Sequence, residues 1–390
     1  MTFFSDRLSF RSYIPILFYL LMLLGVSIVS YKKPSYNWDM LAYAAVVLQY
    51  NHQEKDVHQQ VYQLAAQQLP ANTYNTLAGG SNLLRKRWAS DAGAFRQVLP
   101  FYVVKPLYTI MVYSLFKLGF PVYKATVIPS ILAYLLTGIL LLVWMSRHLK
   151  IVPATLICAT IMLLPPILEA ATLSTPDFLA GMLLFYAIYF LTEVESINGF
   201  FLLSLLSVMS RIDFILPLMV LLISHTLVIK SLSIRKTIFL MSVAVITYLL
   251  ISYNAHSYGW NILYFPSFIN TLNLHHNVQS VFTIKDYWEI LKAQIMTGLY
   301  HSHCAWLLLI SILTLLQSNK LELKSSKHVL ILGSLLVALA VRFLLQPVIA
   351  DRFYIGYYMV FLCLFIIKLF SRLTDEARMK IATKQNDFVK

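Results

Sequence analysis

Apolar runs separated by short polar turns recur from Ser12 to Phe370. Most approach the ~20 residues needed to cross a ~30 Å hydrocarbon core. The pattern predicts membrane spans near 13–30, 123–145, 153–173, 178–192, 200–211, 213–229, 237–253, 295–316, 328–349 and 353–370. The expected architecture is an all-α polytopic membrane protein of about ten transmembrane helices with a helical first extracytoplasmic loop. One long polar interruption, 31–122, separates the first span from the rest. Inside it, Met40–Tyr50 and Asp56–Leu69 read as helices, and Asn72–Ser81, with Gly79-Gly80, reads as a turn. Pro106–Leu118 is apolar but short and flanked by Lys105 and Lys117, so it reads as an interfacial or re-entrant helix.

The run Phe200–Ile229 would be about 45 Å long as one helix, too long for one crossing and short for two. Charge decides between them. Arg147 and Lys150, then Lys230, Arg235 and Lys236, then Lys320, Lys324 and Lys327, then the 371–390 tail, fall at alternate turns, the positive-inside pattern with both termini cytoplasmic. That parity requires two short helices meeting near Arg211-Ile212-Asp213. A turn at membrane depth must be buried in protein or line a watery cavity.

Composition agrees with this division: 59% of residues are hydrophobic and only 12% are charged, against about 25% charged in soluble domains. The chain is expected to be one membrane domain, 1–390: a first helix at 13–30, an extracytoplasmic loop over 31–122, further helices over 123–370 and a basic cytoplasmic tail at 371–390. The first run follows Arg7 and Arg11 but has no Ala-x-Ala-like site after it, so it reads as a retained anchor. The net charge of +14 forms no stripe with interleaved aromatics, and nucleic acid is not an expected partner. Cys158, Cys304 and Cys363 all sit in apolar runs, suggesting neither a disulfide framework nor a cysteine zinc site.

The chemistry-bearing residues fall mostly on the predicted outer face. Taken alone, Asp39 reads equally well as a helix cap accepting from the Leu41 or Ala42 amides. Asp177 reads as a first-turn acid in a helix capped by Ser174 or Thr175 with Pro176 behind. Glu169 and Arg342 lie inside apolar runs, where ionised groups are costly and face a cavity or a partner. Asp213 and Asp351 read as paired interfacial charges. Arg211 and Arg352 offer guanidinium forks suited to phosphate, and Lys105 either holds phosphate or extends to the headgroups. His256, His275, His276, His301 and His303 match no strong metal spacing. Arg85-Lys86-Arg87-Trp88 suits anionic headgroups or a plain solvated turn. No cofactor is called for, and a divalent metal is not indicated.

The order of these features resembles the GT-C membrane glycosyltransferases, especially the small bacterial relatives of the protein mannosyltransferase and aminoarabinose transferase group. The residues that carry it are Asn37-Trp38-Asp39 at the head of the loop, Phe101-Tyr102-Val103-Val104-Lys105-Pro106-Leu107-Tyr108, Lys117-Leu118-Gly119-Phe120 and Leu173-Ser174-Thr175-Pro176-Asp177. Ser210-Arg211-Ile212-Asp213 and Asp351-Arg352-Phe353-Tyr354 follow. Two positions depart from the group: Met40 stands where many relatives have a second acid, and Leu107 replaces a second proline. The resemblance implies transfer of a sugar from a polyprenyl-phosphate donor to a glycan, lipid or protein acceptor on the extracytoplasmic face of a bacterial inner membrane. It implies Asp39 as base and Asp177 as its support or acceptor positioner, with Lys105, Arg211 and Arg352 on phosphate; Glu169 and Arg342 join the expected substrate-binding set. A polysaccharide polymerase and a lipid or solute transporter are the competing expectations. The polymerase would place its weight on the late loop, 254–292, and the transporter would use Glu169 and Arg342 as coupling charges.

Overall fold

A computed structural model describes residues 10–50, 57–259, 283–318 and 327–370. The expectations for Arg7, His275, His276, Lys320, Lys324 and the 371–390 tail lie outside the described residues. What is described is helical, with one isolated parallel bridge between Ser35 and Leu173 and no strand among the described residues.

The chain runs through α1 (Phe10–Lys32), α2 (Asp39–Gln49), α3 (Val57–Gln68), α4 (Ala71–Leu77), α5 (Leu83–Ser90), α6 (Ala92–Arg96), α7 (Pro100–Val103), α8 (Pro106–Lys117) and α9 (Val122–Ala125). It continues through α10 (Ile128–His148), α11 (Ile151–Met162), α12 (Pro165–Thr172), α13 (Asp177–Thr192), α14 (Ile197–Ser210) and α15 (Ile215–Leu227). The last elements are α16 (Ile234–Asn254), α17 (Ile284–His301), α18 (His303–Ser318), α19 (Lys327–Leu345) and α20 (Ile355–Phe370).

Each predicted apolar segment holds a helix, so the protein is a polytopic helical chain. Four helices are long and apolar enough to cross a bilayer, and up to seven spans result if each of three bent pairs counts as one. α11 and α12 are one such pair, bent by 63° where Pro165-Pro166 removes helical donors. α8 is another, turned 108° from the helical segment before it, with Lys105 as its N-cap and Pro106 at its first position.

The predicted break in the long apolar run is present. α14 stops at Ser210, Ile212–Phe214 forms a 3-10 turn, and α15 starts at Ile215. Arg211 and Phe214 are buried there, so the turn is held in protein. Asn72–Ser81 departs from expectation: Ala71–Leu77 is helical, and only the stretch through Gly79 and Gly80 turns. Arg85 donates to the Thr76 carbonyl and closes that helix end, a tertiary contact that local residue preference does not encode. Arg342 also moves. α19 ends at Leu345, so Arg342 lies in its last turn and not mid-span.

Three contacts bring distant chain segments to one end of the bundle. The Ser35 amide donates to the Thr172 carbonyl (3.0 Å), and Ser130 Oγ donates to the carbonyls of Leu173 (2.7 Å) and Thr175 (3.1 Å). The segment before Asp39 therefore lies beside the segment before Asp177. Ser207 Oγ donates to the Ala180 carbonyl (2.8 Å), fixing α14 on α13 with Arg211 one turn beyond. Ser334 Oγ donates to Ser224 Oγ (2.7 Å), tying α19 to α15 at the end away from Asp213 and Arg342.

α13 and α20 meet backbone to backbone. A Cβ on Gly356 would stand 2.6 Å from Gly181 Cα, and one on Gly181 would stand 2.8 Å from the Gly356 nitrogen. Small residues permit such close helix approach in membrane proteins. Arg352 lies four residues before Gly356 and Asp177 four before Gly181, so this crossing sets their separation. Gly356→Ala is expected to cost about 1–3 kcal/mol through overpacking, read as a lowered thermal midpoint in detergent. An unchanged midpoint would show that the two helices separate freely.

The far end of α13 carries a different charge group. Glu193 accepts from Trp144 Nε1 (2.9 Å), pairs with His148 (3.1 Å) and lies 3.7 Å from Arg147. Lys327 pairs with Glu195, two residues beyond Glu193. Arg147 and Lys327, which the charge pattern puts on one face, thus gather at one end of α13, while Asp177 starts the other.

Candidate active site

Asp39 is the first residue of α2, yet it does not cap the helix. Trp38 occupies the N-cap, and the Leu41 amide donates to the Trp38 carbonyl (3.0 Å), leaving the Asp39 carboxylate free for other partners. Tyr102 Oη donates to its Oδ1 (2.9 Å) and Arg352 Nη1 to its Oδ2 (3.0 Å). Asp177 follows the same logic. Pro176 is the N-cap, with no side-chain cap from Ser174 or Thr175. The Asp177 carboxylate instead receives Arg211 Nη1 and, at 3.5 Å, Arg352 Nε.

Arg352 therefore bridges the two aspartates. Arg211 bridges Asp177 to Asp213, donating Nε and Nη2 to its two oxygens at 3.0 Å each. Arg342 Nε donates to Asp213 Oδ2 at 2.7 Å. Five of the charged residues form one continuous chain in space, Asp39, Arg352, Asp177, Arg211 and Asp213, with Arg342 at its deep end. Asp39 and Arg352 are part-exposed at 25% and 29%, Asp177 and Arg211 are buried at 6% and 9%, Asp213 is again 22% exposed, and Arg342 is 2% exposed. The mouth is at Asp39.

Lys105 completes the group from the loop side. Its Nζ donates to Tyr43 Oη (2.9 Å) and lies over the rings of Tyr43 (5.2 Å) and Tyr102 (4.9 Å). No carboxylate pairs with it among the described residues. Burial pushes its ammonium down to about 8; Asp39 and Asp177 resist that drop, and Arg211 and Arg352 add to it. Asp213 is held by two guanidiniums, Arg211 and Arg342. Its reading as a paired charge fits this structure.

Aromatic residues carry much of the geometry. The Phe353 ring faces three guanidiniums, with Arg211 at 4.4 Å, Arg342 at 5.1 Å and Arg352 at 5.0 Å from its centroid. A ring quadrupole attracts each cation and spaces them apart. Trp38 packs on Trp88 (4.1 Å) and edge-on to Tyr102 (6.1 Å), anchoring the loop helices beside Asp39.

No family model, curated protein or solved structure matches this chain. The functional reading therefore rests on the cluster itself.

Of the expected site residues, the structure brings together Asp39, Lys105, Asp177, Arg211, Arg342 and Arg352. Glu169 does not join them: it is exposed on α12, and its carboxylate has no hydrogen bond or ion pair among the described residues. The expectation of an interior partner fails because the Pro165-Pro166 bend turns this short helix and leaves that position on its outer side. Asp351 pairs with no lysine or arginine among the described residues. It accepts from Ser302 Oγ and from the amides of His303 (3.1 Å) and Cys304 (3.2 Å), with His303 Nδ1 at 3.4 Å, so it caps α18 from across the chain. No group of three or more His, Cys, Asp or Glu side chains suited to a metal occurs among the described residues. Sequence reasoning missed Tyr43 and Phe353. Both lie beside expected charges, but aromatics make up 14% of the chain, too common to stand out.

Proposed function

We propose that this protein is a membrane glycosyltransferase that moves a sugar from a polyprenyl-phosphate donor to an acceptor hydroxyl at the outer face of a bacterial inner membrane. The observation that carries this reading is the convergence of Asp39, Lys105, Asp177, Arg211 and Arg352, drawn from five separate segments, into one polar cluster at one end of an apolar bundle. The proposed topology is ten spans with both termini cytoplasmic. Besides the four long helices, the bent pairs α11–α12 and α17–α18 and the short helices α13, α14, α15 and α20 each supply one crossing, and 31–122, with the bent pair that ends in α8, forms the outer loop.

The chemistry follows from charge placement. The acceptor oxygen attacks the anomeric carbon as its proton passes to the Asp39 carboxylate. The bond between that carbon and the donor phosphate oxygen breaks, and its electron pair leaves with the lipid phosphate. Lys105 and Arg352 face the charge that grows on the departing group. Arriving phosphate competes for Arg352 and loosens its hold on Asp39, so the base is released as the donor seats. Tyr102 keeps the carboxylate oriented. Asp177 and Arg211 hold Arg352 from behind and act as positioning residues.

Lys105 provides a direct test. Only its charged form attracts phosphate, and that form is lost as pH rises through about 8. Because kcat/KM reports the free enzyme, its value for a polyprenyl-phosphate sugar is expected to fall about tenfold per unit above that pH. kcat should fall less, because bound phosphate keeps the ammonium charged. Lys105→Gln is expected to lower kcat/KM and to flatten this step. A step that persists in the glutamine variant would assign it to another group. Failure of the wild-type chain to release lipid phosphate from any such donor would remove the proposal.

A further inference from the structure

The deep end of the cluster holds donors that the proposed reaction does not use. Arg342 is 2% exposed, and only its Nε is engaged, on Asp213. Its Nη1 and Nη2 are buried and take no hydrogen-bond partner among the described residues. A buried donor without a partner is destabilising, and more so when charged. The neighbouring carboxylates are already committed. Asp213 spends both oxygens on Arg211 and one of them also on Arg342 Nε, and Asp177 spends its oxygens on Arg211 and Arg352. Among the described residues no uncommitted carboxylate therefore faces this fork, and only the hydroxyls of Tyr354 and Tyr357 stand near it.

The rings over the fork belong to Phe353 and Tyr354, at 5.1 and 5.0 Å from the guanidinium carbon. They lie on the short segment between α19 and α20, where Asp351–Phe353 forms a 3-10 turn. Lys105, the cluster's cation that pairs with no carboxylate among the described residues, is elsewhere. It is bound to Tyr43, and the charges that act most strongly on it are Asp39, Arg211, Asp177 and Arg352.

We infer that Arg342 forms a second anion subsite, which takes a phosphate group separate from the donor phosphate held at Lys105. A guanidinium fork matches two phosphate oxygens through parallel hydrogen bonds, whereas an ammonium acts as a point charge. The substrates thus carry two phosphate centres. The second belongs either to a diphosphate-linked donor or to a phosphorylated acceptor. This deepens the transferase reading and rests on it for the identity of the first phosphate, but the second binding event is measurable without turnover.

The test uses the full chain in detergent. With wild type saturated by a short-chain prenyl monophosphate, added inorganic phosphate is expected to bind saturably. Prenyl diphosphate binding about tenfold or more tightly than the monophosphate, and abolishing the added phosphate binding, would assign the second centre to the donor. Equal affinities, with inorganic phosphate still adding, would assign it to the acceptor. Arg342→Lys keeps a cation for Asp213 but removes the fork. It should weaken the second binding about tenfold while leaving the monophosphate within about twofold. No saturable second binding to wild type would overturn the subsite, whether or not the variant folds. So would full second binding in a folded Arg342→Lys protein. Sugar transfer without second binding sinks the subsite alone, and second binding without transfer sinks the reaction alone.

Discussion

Asp39→Asn is expected to lower sugar transfer about 10²–10⁴-fold, the usual contribution of a positioned general base, while the protein stays folded. The amide occupies the same volume and still accepts the Tyr102 hydroxyl on its oxygen. What it loses is the capacity to take a proton and the charge opposite Arg352. Arg352 keeps Asp177 as its second partner. The Asp39 pair is part-exposed, with side chains 25% and 29% accessible, so its own stability contribution is of the order of 1 kcal/mol or less. Activity and stability should therefore separate. Release of lipid phosphate from a polyprenyl-phosphate sugar, measured beside a thermal midpoint, reads both quantities. Near-native turnover in the asparagine variant would remove Asp39 from the role of base, and a collapsed midpoint would make it a structural acid.

Arg211→Met should behave in the opposite way, with a loss of about 3–5 kcal/mol in stability. Arg211 is the keystone of the buried half: it contacts Asp177, both oxygens of Asp213 and the face of Phe353. Removing it leaves Asp177, only 6% exposed, with the single 3.5 Å contact to Arg352. The cost comes mainly from the stranded carboxylates and not from the lost attraction, because a buried pair roughly balances its own desolvation. Arg211→Met combined with Asp177→Asn and Asp213→Asn should therefore recover much of the loss. Guanidinium chloride titration in detergent would check this. A triple variant no more stable than Arg211→Met would mean that the arginine acts through packing against Phe353.

The helices were legible in the sequence because apolar run length and basic-residue parity act locally and additively. The break at Arg211-Ile212-Asp213 is the clearest case: no residue there is a helix breaker, and only charge parity asked for two helices in place of one. The pairing was not legible. Asp39 reads as a helix cap, yet Trp38 takes that place; Asp177 does open α13 as a first-turn acid, but behind Pro176 and not behind a Ser174 or Thr175 cap, and its position says nothing of its arginines. Glu169 looked like an interior carboxylate, but the proline bend that made it conspicuous also rotated it outward. Phe353 gave no signal, since a ring that spaces three arginines does so through contacts between chain segments far apart in sequence.

The separations along the chain also order the site in time. Asp177 and Arg211 are 34 residues apart, whereas Asp39 and Arg352 are 313 apart. At about 5–20 residues per second of synthesis, Asp177 waits roughly 2–7 s for its first arginine, and Asp39 waits roughly 15–60 s for its own. The inner pair thus forms while the chain is still emerging, and the mouth closes only when the last helix arrives against Gly181. A nascent chain that stops short of Arg352 carries an Asp39 without this guanidinium opposite it.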